Sequence, residues 1–140
     1  MRVEASVENW NQHHAAVVAT NSITRELAVP PSNNETGSSI NGSELLCLAV
    51  ATSYCNDIYR ERRERGIAVL RVNVDVQAEF HGTGEPLDSI IYRARVAAKG
   101  GDEQAIRELM LHTDQVAEIQ TTLRRGIDVK FEPVEVIVEG

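Results

Sequence analysis

Cys47 and Cys55 are the strongest nucleophiles in this 140-residue chain, and the eight-residue step between them limits what they can do together. Both fall in one expected helix, where eight residues rise about 12 Å. A disulfide needs Cα atoms within about 7 Å, so the two cannot bridge each other and stand as free thiols, which suits a reducing compartment. A reactive thiol also needs nearby positive charge or hydrogen-bond donors to form its thiolate. Cys47 sits among Leu45, Leu46 and Leu48, where packing is the simpler role. For Cys55 two readings stand, a small apolar residue of a helix core and a nucleophile.

Other groups could assist or bind. Glu44 follows Asn41 by three residues, the form of a capping box, so helix initiation explains it as well as chemistry does. His13 and His14 are adjacent, which in a strand would send them to opposite faces; a solvated turn is the simpler setting. His112, Asp114 and Glu118 lack the spaced His or Cys partners of a metal site, and Asp114 fits a helix N-cap. No metal and no cofactor are expected.

These residues must be positioned by an ordered set of elements. Val3, Ala5 and Val7 alternate with polar residues, and Ile23 to Val29 alternates again, giving three short strands with turns at Asn9–His14 and Asn21-Ser22. Pro30 to Gly42 is a polar loop. Asn41 then opens a helix whose residues from Glu44 to about Tyr59 are apolar on every face, marking a central helix buried on most sides. Its charged end, Arg60 to Arg65, is a solvated stretch closed by Gly66.

Ala68, Leu70, Val72, Val74, Val76, Ala78 and Phe80 form the apolar side of a long strand, paired as a hairpin with a second carrying Ile90, Tyr92, Ala94, Val96 and Ala98. Outward Asp75 and Glu79 can meet Arg93 and Arg95. Helical segments follow over Glu103 to about Leu111 and from Asp114 or Gln115 to Arg124, with His112-Thr113-Asp114 at their junction. Ile127, Val129 and Phe131, then Val134, Val136 and Val138, suggest a last strand that changes phase at Pro133. Strands and helices are segregated without βαβ alternation, so the class is α+β in one domain, 1–140.

With 14 basic against 21 acidic residues the net charge is -7, which disfavours nucleic acid and anionic membranes as partners. The longest apolar stretch, Leu45 to Ala51, is far below the roughly 20 residues of a membrane span. The N-terminus has no basic-then-apolar signal pattern, and a cytoplasmic location is expected.

The segments Asn41-Gly42-Ser43-Glu44-Leu45-Leu46 and Ala51-Thr52-Ser53-Tyr54-Cys55-Asn56-Asp57, with Arg65-Gly66-Ile67 and His112-Thr113-Asp114 in that order, resemble the OsmC/Ohr family over nearly the whole chain. The resemblance implies an intertwined homodimer with packed central helices. It also implies reduction of organic hydroperoxides by a cysteine on the first helix, resolved by a second cysteine in a His-Cys-Pro segment. A glutamate and an arginine activate the first thiol in that family.

Carried over position by position, Glu44 matches the glutamate, and nine residues further Ser53 stands where the reactive cysteine is expected. His112 matches the histidine, but Thr113 replaces the resolving cysteine and Asp114 the proline. Val3 to Thr24 holds no Arg or Lys, leaving His13 or His14 as the nearest substitute for the arginine. A hydroxyl is not oxidised to a sulfenic acid, so the two-cysteine cycle is expected to be lost. Cys55 lies about 200° around the helix from Ser53. If catalysis persists, Cys55 is the expected nucleophile, assisted by Glu44 and His14, in a one-cysteine hydroperoxide reductase. The alternative is a non-catalytic module holding a small hydrophobic ligand at the dimer interface.

Overall fold

Alternation at the N-terminus becomes three antiparallel strands in the order β1 (Val3–Trp10), β2 (His13–Thr20) and β3 (Ile23–Leu27). The computed structural model describes residues 1–33, 36–100, 102–127, 130–133 and 135. The chain divides into two compact units, 1–48 and 49–140, and this sheet belongs to the first. The expected turn at Asn9–His14 is shorter than the sequence suggests. Asn9 pairs with His14 and Trp10 with His13, which leaves Asn11-Gln12 as the link. Contact between the Trp10 and His13 rings, tilted by 38° with centroids 4.0 Å apart, favours this extension of the ladder.

Asn21 and Ser22, at φ +47° and +70°, supply the left-handed pair that a tight two-residue hairpin turn demands. Residues opposite each other in the ladder share a face. Val3, Val7, Val18, Ile23 and Leu27 therefore fall on one side, and they remain 39% to 65% exposed.

Helix α1 (Gly42–Glu61) opens with the expected capping box. The Asn41 amide donates to Glu44 Oε1 at 2.9 Å, and the Glu44 amide donates to Asn41 Oδ1 at 2.7 Å. Burial on most sides is not met, however. Only Val50, Tyr54, Asp57 and Ile58, one stripe at helical spacing, are buried, and Leu48 is 57% exposed. One chain covers a single face of this helix. A 3-10 turn over Arg62–Arg65 follows, and Gly66 at φ +64° ends it.

In the second unit β4 (Val69–Phe80) and β5 (Leu87–Ala98) form the predicted hairpin, with Val72↔Val96, Val74↔Ala94 and Val76↔Tyr92 as facing pairs. Asp75 meets Arg95 diagonally at 3.4 Å, whereas Arg93 donates to Gln77 at 3.1 Å rather than reaching Glu79. The predicted apolar phase fails at both ends of β4. Irregularities in the ladder lie between Val69 and Arg71 and between Glu79 and Phe80, so Leu70 is 63% exposed while Val69 joins the packed side.

Helix α2 (Glu103–Val116), capped by Asp102 through the Gln104 amide at 3.0 Å, and helix α3 (Glu118–Arg125) complete the unit. Tyr54 and Ile58 of α1 and Leu109 of α2 form the buried centre, and Val72, Val74, Tyr92, Ala94 and Val96 pack on it. The last expected strand is not found among the described residues, which include Ile127 and Phe131; Val129, Val134, Val136 and Val138 lie outside them. The architecture is α+β, with two antiparallel sheets and three α-helices among the described residues.

Candidate functional site

Helical spacing builds the first part of the site. Ser53 and Asp57 are one turn apart on α1, and the half-buried Ser53 hydroxyl donates to Asp57 Oδ2 at 3.2 Å. Asp57 is 6% exposed. Burial pushes its carboxyl above the ordinary range and the Glu118 and Glu61 charges add to this, against the lowering effects of Arg60 and the Ser53 hydrogen bond. Arg60 lies 3.3 Å from Asp57 and donates to Glu61 and to Glu118 of α3, each at 2.8 Å. Glu61 in turn meets His112 Nε2 at 2.8 Å. Its carboxyl is held below the ordinary range by the Arg60 hydrogen bond first and the His112 hydrogen bond second.

This chain of pairs joins the end of α1 to α2 and α3, but it does not activate Ser53. A serine nucleophile is activated by a general base free to take its proton; here the histidine binds Glu61, and Asp57, the acceptor on Ser53, is itself paired with Arg60. The hydroxyl is a structural donor in this setting. His112, Asp114 and Glu118 turn to three different partners, Glu61, Arg124 and Arg60, rather than to one centre. Among the described residues no group of three His, Cys, Asp or Glu side chains could hold a metal ion.

Thr113 and Asp114 are not at a helix junction as expected. Helix α2 runs through them, and the break falls at Ala117, whose amide donates to the Thr113 carbonyl at 3.0 Å. Thr113 is fully buried, and its Oγ1 donates back to the Leu109 carbonyl at 2.7 Å, so it competes for no cap. Asp114 is no N-cap. It accepts from Arg124 Nη2 at 2.8 and 3.1 Å and from the Tyr92 hydroxyl. Burial pushes the Asp114 carboxyl up, but the hydrogen bonds from Arg124 and Tyr92 with the Arg124 charge outweigh this and hold it below the ordinary range.

The Tyr54 hydroxyl donates to the Met110 carbonyl at 2.8 Å, with its ring edge-on to Tyr92 at 5.2 Å. Burial, with the Asp114 charge, pushes Tyr54 up to about 12. Burial also raises Tyr92, whose hydrogen bond to Asp114 adds to the shift. Neither tyrosine ionises near neutral pH.

Cys55 and Cys47 are both free and half-buried. Among the described residues neither sulfur has a hydrogen-bond partner. Glu44 and His14 belong to the first unit, and each has a structural task there. Glu44 closes the capping box, and the Asn9 side-chain amide meets His14 Nδ1 at 3.0 Å while also bonding both the Gly37 carbonyl and amide. The solvated turn expected for His13-His14 is replaced by strand β2, with His13 exposed and His14 half-buried.

The sequence reading missed three groups. Asp57 was hidden because its partners are set by helical spacing at Ser53 and Arg60. Gln120, 4% exposed on α3, donates to the Val50 carbonyl at 3.2 Å, a contact with no sequence signature. Arg25 alternates with Ile23 and Leu27 and so shares the apolar face of the first sheet, a signal legible in the strand pattern.

Comparison with known proteins agrees with this fold. A family model described as OsmC-like protein matches residues 35–132. No curated protein matches the sequence significantly. Among solved structures, an OsmC-like protein from Mycoplasma pneumoniae aligns with TM-score 0.62 at 12% identity, covering 88% of this chain and 86% of its own. The organic hydroperoxide resistance protein OsmC from Legionella pneumophila aligns with TM-score 0.57 at 14% identity, over 93% of this chain and 94% of its own. The organic hydroperoxide resistance protein OhrB of Bacillus subtilis gives TM-score 0.54 at 14% identity, over 93% and 96%. With the family model spanning most of its length, α1 through α3 included, this chain belongs to the OsmC-like protein family.

Proposed function

We propose that this chain is a homodimeric, cytoplasmic OsmC-like protein of the oxidative stress response in which the two-cysteine hydroperoxide chemistry is lost. Similarity in fold to organic hydroperoxide resistance proteins supports the setting. One observation carries the loss. Ser53, aligned with the reactive position, is committed to Asp57, and Thr113, aligned with the resolving position, is fully buried with its hydroxyl on a backbone carbonyl. Neither oxygen can pass through a sulfenic acid or close a disulfide. The free thiols suit a reducing compartment. Among the described residues no helix is long and apolar enough to cross a membrane. The exposed apolar face of the first sheet and the exposed Leu48 of α1 support a second copy as partner, since such faces mark association sites.

Consumption of cumene hydroperoxide with a dithiol reductant tests this reading. Wild type and Cys55→Ser are expected to show the same background rate. A rate well above background that disappears in Cys55→Ser would instead establish a one-cysteine reductase, with Glu44 and His14 as the assisting groups to examine next.

A second reading draws on the same apolar face. A dimer built over it could hold a small hydrophobic ligand without reacting with it. Native mass spectrometry that finds no bound apolar molecule, co-purified or added, would count against that role.

A further inference from the structure

Asn9 of β1 and His14 of β2 face each other across the first hairpin, and the Asn9 carboxamide also reaches the backbone that leads into α1. The Gly37 amide donates to Asn9 Oδ1 at 3.1 Å, and Asn9 Nδ2 donates to the Gly37 carbonyl at 3.2 Å. Gly37 offers both groups to one side chain at φ +75°, a left-handed conformation that glycine takes without steric cost. Bonds from the Ser32 amide to the Gly37 carbonyl at 2.9 Å and from the Ser39 amide to the Pro30 carbonyl at 3.0 Å close the loop on itself. Asn9 ties it to the sheet.

An amide N–H only donates and a carbonyl only accepts, so the two Gly37 bonds fix which end of the carboxamide is which. Nδ2 therefore presents its second hydrogen to His14 Nδ1 at 3.0 Å. That nitrogen has to accept. A neutral imidazole carries one donor and one acceptor, so His14 here is neutral with its proton on Nε2. An imidazolium donates from both nitrogens, and its Nδ1–H would meet the Asn9 N–H head on. Turning the carboxamide over would relieve that clash only by losing both bonds to Gly37.

Few charges compete for His14. Within β1 to β3, Arg25 is the one charged side chain on the same face; it pairs with Val18, roughly 14 Å away by strand rise and beyond the roughly 8 Å over which physiological salt screens exposed charges. Glu8, His13 and Glu26 fall on the opposite face by alternation. Glu44, beyond the end of the segment, has its carboxylate on the Asn41 amide.

We infer that Asn9, His14 and Gly37 form a pH-sensitive latch, closed while His14 is neutral and opened by its protonation, that holds the segment from Gly37 to Asn41 against the first sheet. Acidification frees Gly37 four residues before Asn41 opens α1 with its capping box. The latch uses neither Ser53, Cys55 nor Thr113. Its failure would leave the reading of those positions untouched.

NMR of the full chain from pH 8 to pH 5, the range in which an imidazole ordinarily changes charge, reads the ring and the loop together. At pH 8 the His14 nitrogens should show the Nε2–H tautomer. Protection of the Gly37 amide from solvent exchange, corrected for the intrinsic rate at each pH, should fall about three- to ten-fold as the ring titrates, the ratio one hydrogen bond supplies. His14→Gln offers Nδ2 an acceptor that does not titrate and should hold that protection flat. Asn9→Asp replaces the donor with an acceptor and should move the proton of the neutral ring to Nδ1. An Nδ1–H tautomer in wild type, Gly37 protection indifferent to the His14 titration, or the wild-type pH response in a folded His14→Gln protein would each overturn the latch.

Discussion

The Ser53 hydroxyl is bonded to the Asp57 carboxylate one turn further along α1, at 3.2 Å. A thiol at Ser53 would therefore face a negative charge rather than the positive surroundings that stabilise a thiolate. On the proposed reading, the obstacle to peroxide chemistry at this position thus extends beyond the missing sulfur. Electrostatics at this position oppose the reactive form of any cysteine placed there.

Ser53→Cys, made with Cys47 and Cys55 both replaced by serine, is accordingly expected to react slowly with an aromatic disulfide at neutral pH and to consume no hydroperoxide. Adding Asp57→Asn should speed the thiol roughly three- to ten-fold, as expected when about half to one pKa unit of thiolate penalty is removed. A rate indifferent to Asp57→Asn would show that the carboxylate does not control the site.

Asp57 also sets a pH dependence of stability. Its folded pKa is raised, first by burial. Between the ordinary carboxylate value of about 3.9 and that raised value, the native state holds a proton the unfolded chain has released. Stability from this group therefore falls as pH rises through the window and stays lower above it. Asp57→Asn removes the decline and keeps an acceptor for Ser53, at the loss of a half-exposed Arg60 pair that contributes no more than about 1 kcal/mol. Urea unfolding at pH 3 and pH 7 should show the variant gaining on wild type at the higher pH. A gain by wild type instead would reverse the assignment.

Local rules made some of these features legible and left others hidden. Asn41 and Glu44 announced the start of α1, and strict alternation announced β4 and β5, because both signals depend on near neighbours in sequence. Thr113-Asp114 looked like a helix start for the same reason, since Asp is a good N-cap. Long-range partners decided otherwise, with Tyr92 and Arg124 claiming Asp114 while Thr113 bonded back to Leu109. The phase of β4 near Leu70 was misread because a register shift leaves no mark in an unbroken apolar run. Glu44, His14, Ser53 and Thr113 could be named from the sequence, but Asp57 and Gln120 owe their roles to burial.

Tyr54 offers a test at the alkaline end. Its hydroxyl bonds the Met110 carbonyl, and burial raises it to about 12. From about pH 10, the ordinary tyrosine value, the unfolded chain ionises before the folded one, so stability from this group falls as pH rises toward 12. Tyr54→Phe should cost about 1 kcal/mol at pH 7 and flatten that alkaline decline. An equally steep decline in the variant would mean that Tyr54 ionises freely in the native state.

Arg124→Ala tests the pair that holds α3 to Asp114. Arg124 is 56% exposed on its side chain, which screens the interaction, so a loss of about 1 kcal/mol at pH 7 is expected. Asp114 has a depressed folded pKa, with the Arg124 and Tyr92 hydrogen bonds overcoming burial. Its contribution is present above the ordinary carboxylate value and is lost as pH falls through the folded one. The gap between wild type and Arg124→Ala should therefore narrow on acidification, while the neighbouring Arg125→Ala stays within about 0.5 kcal/mol of wild type throughout. Urea unfolding over pH 2 to 7 reads both. A gap that persists unchanged at pH 2 would assign Arg124 to packing along α3 rather than to the carboxylate.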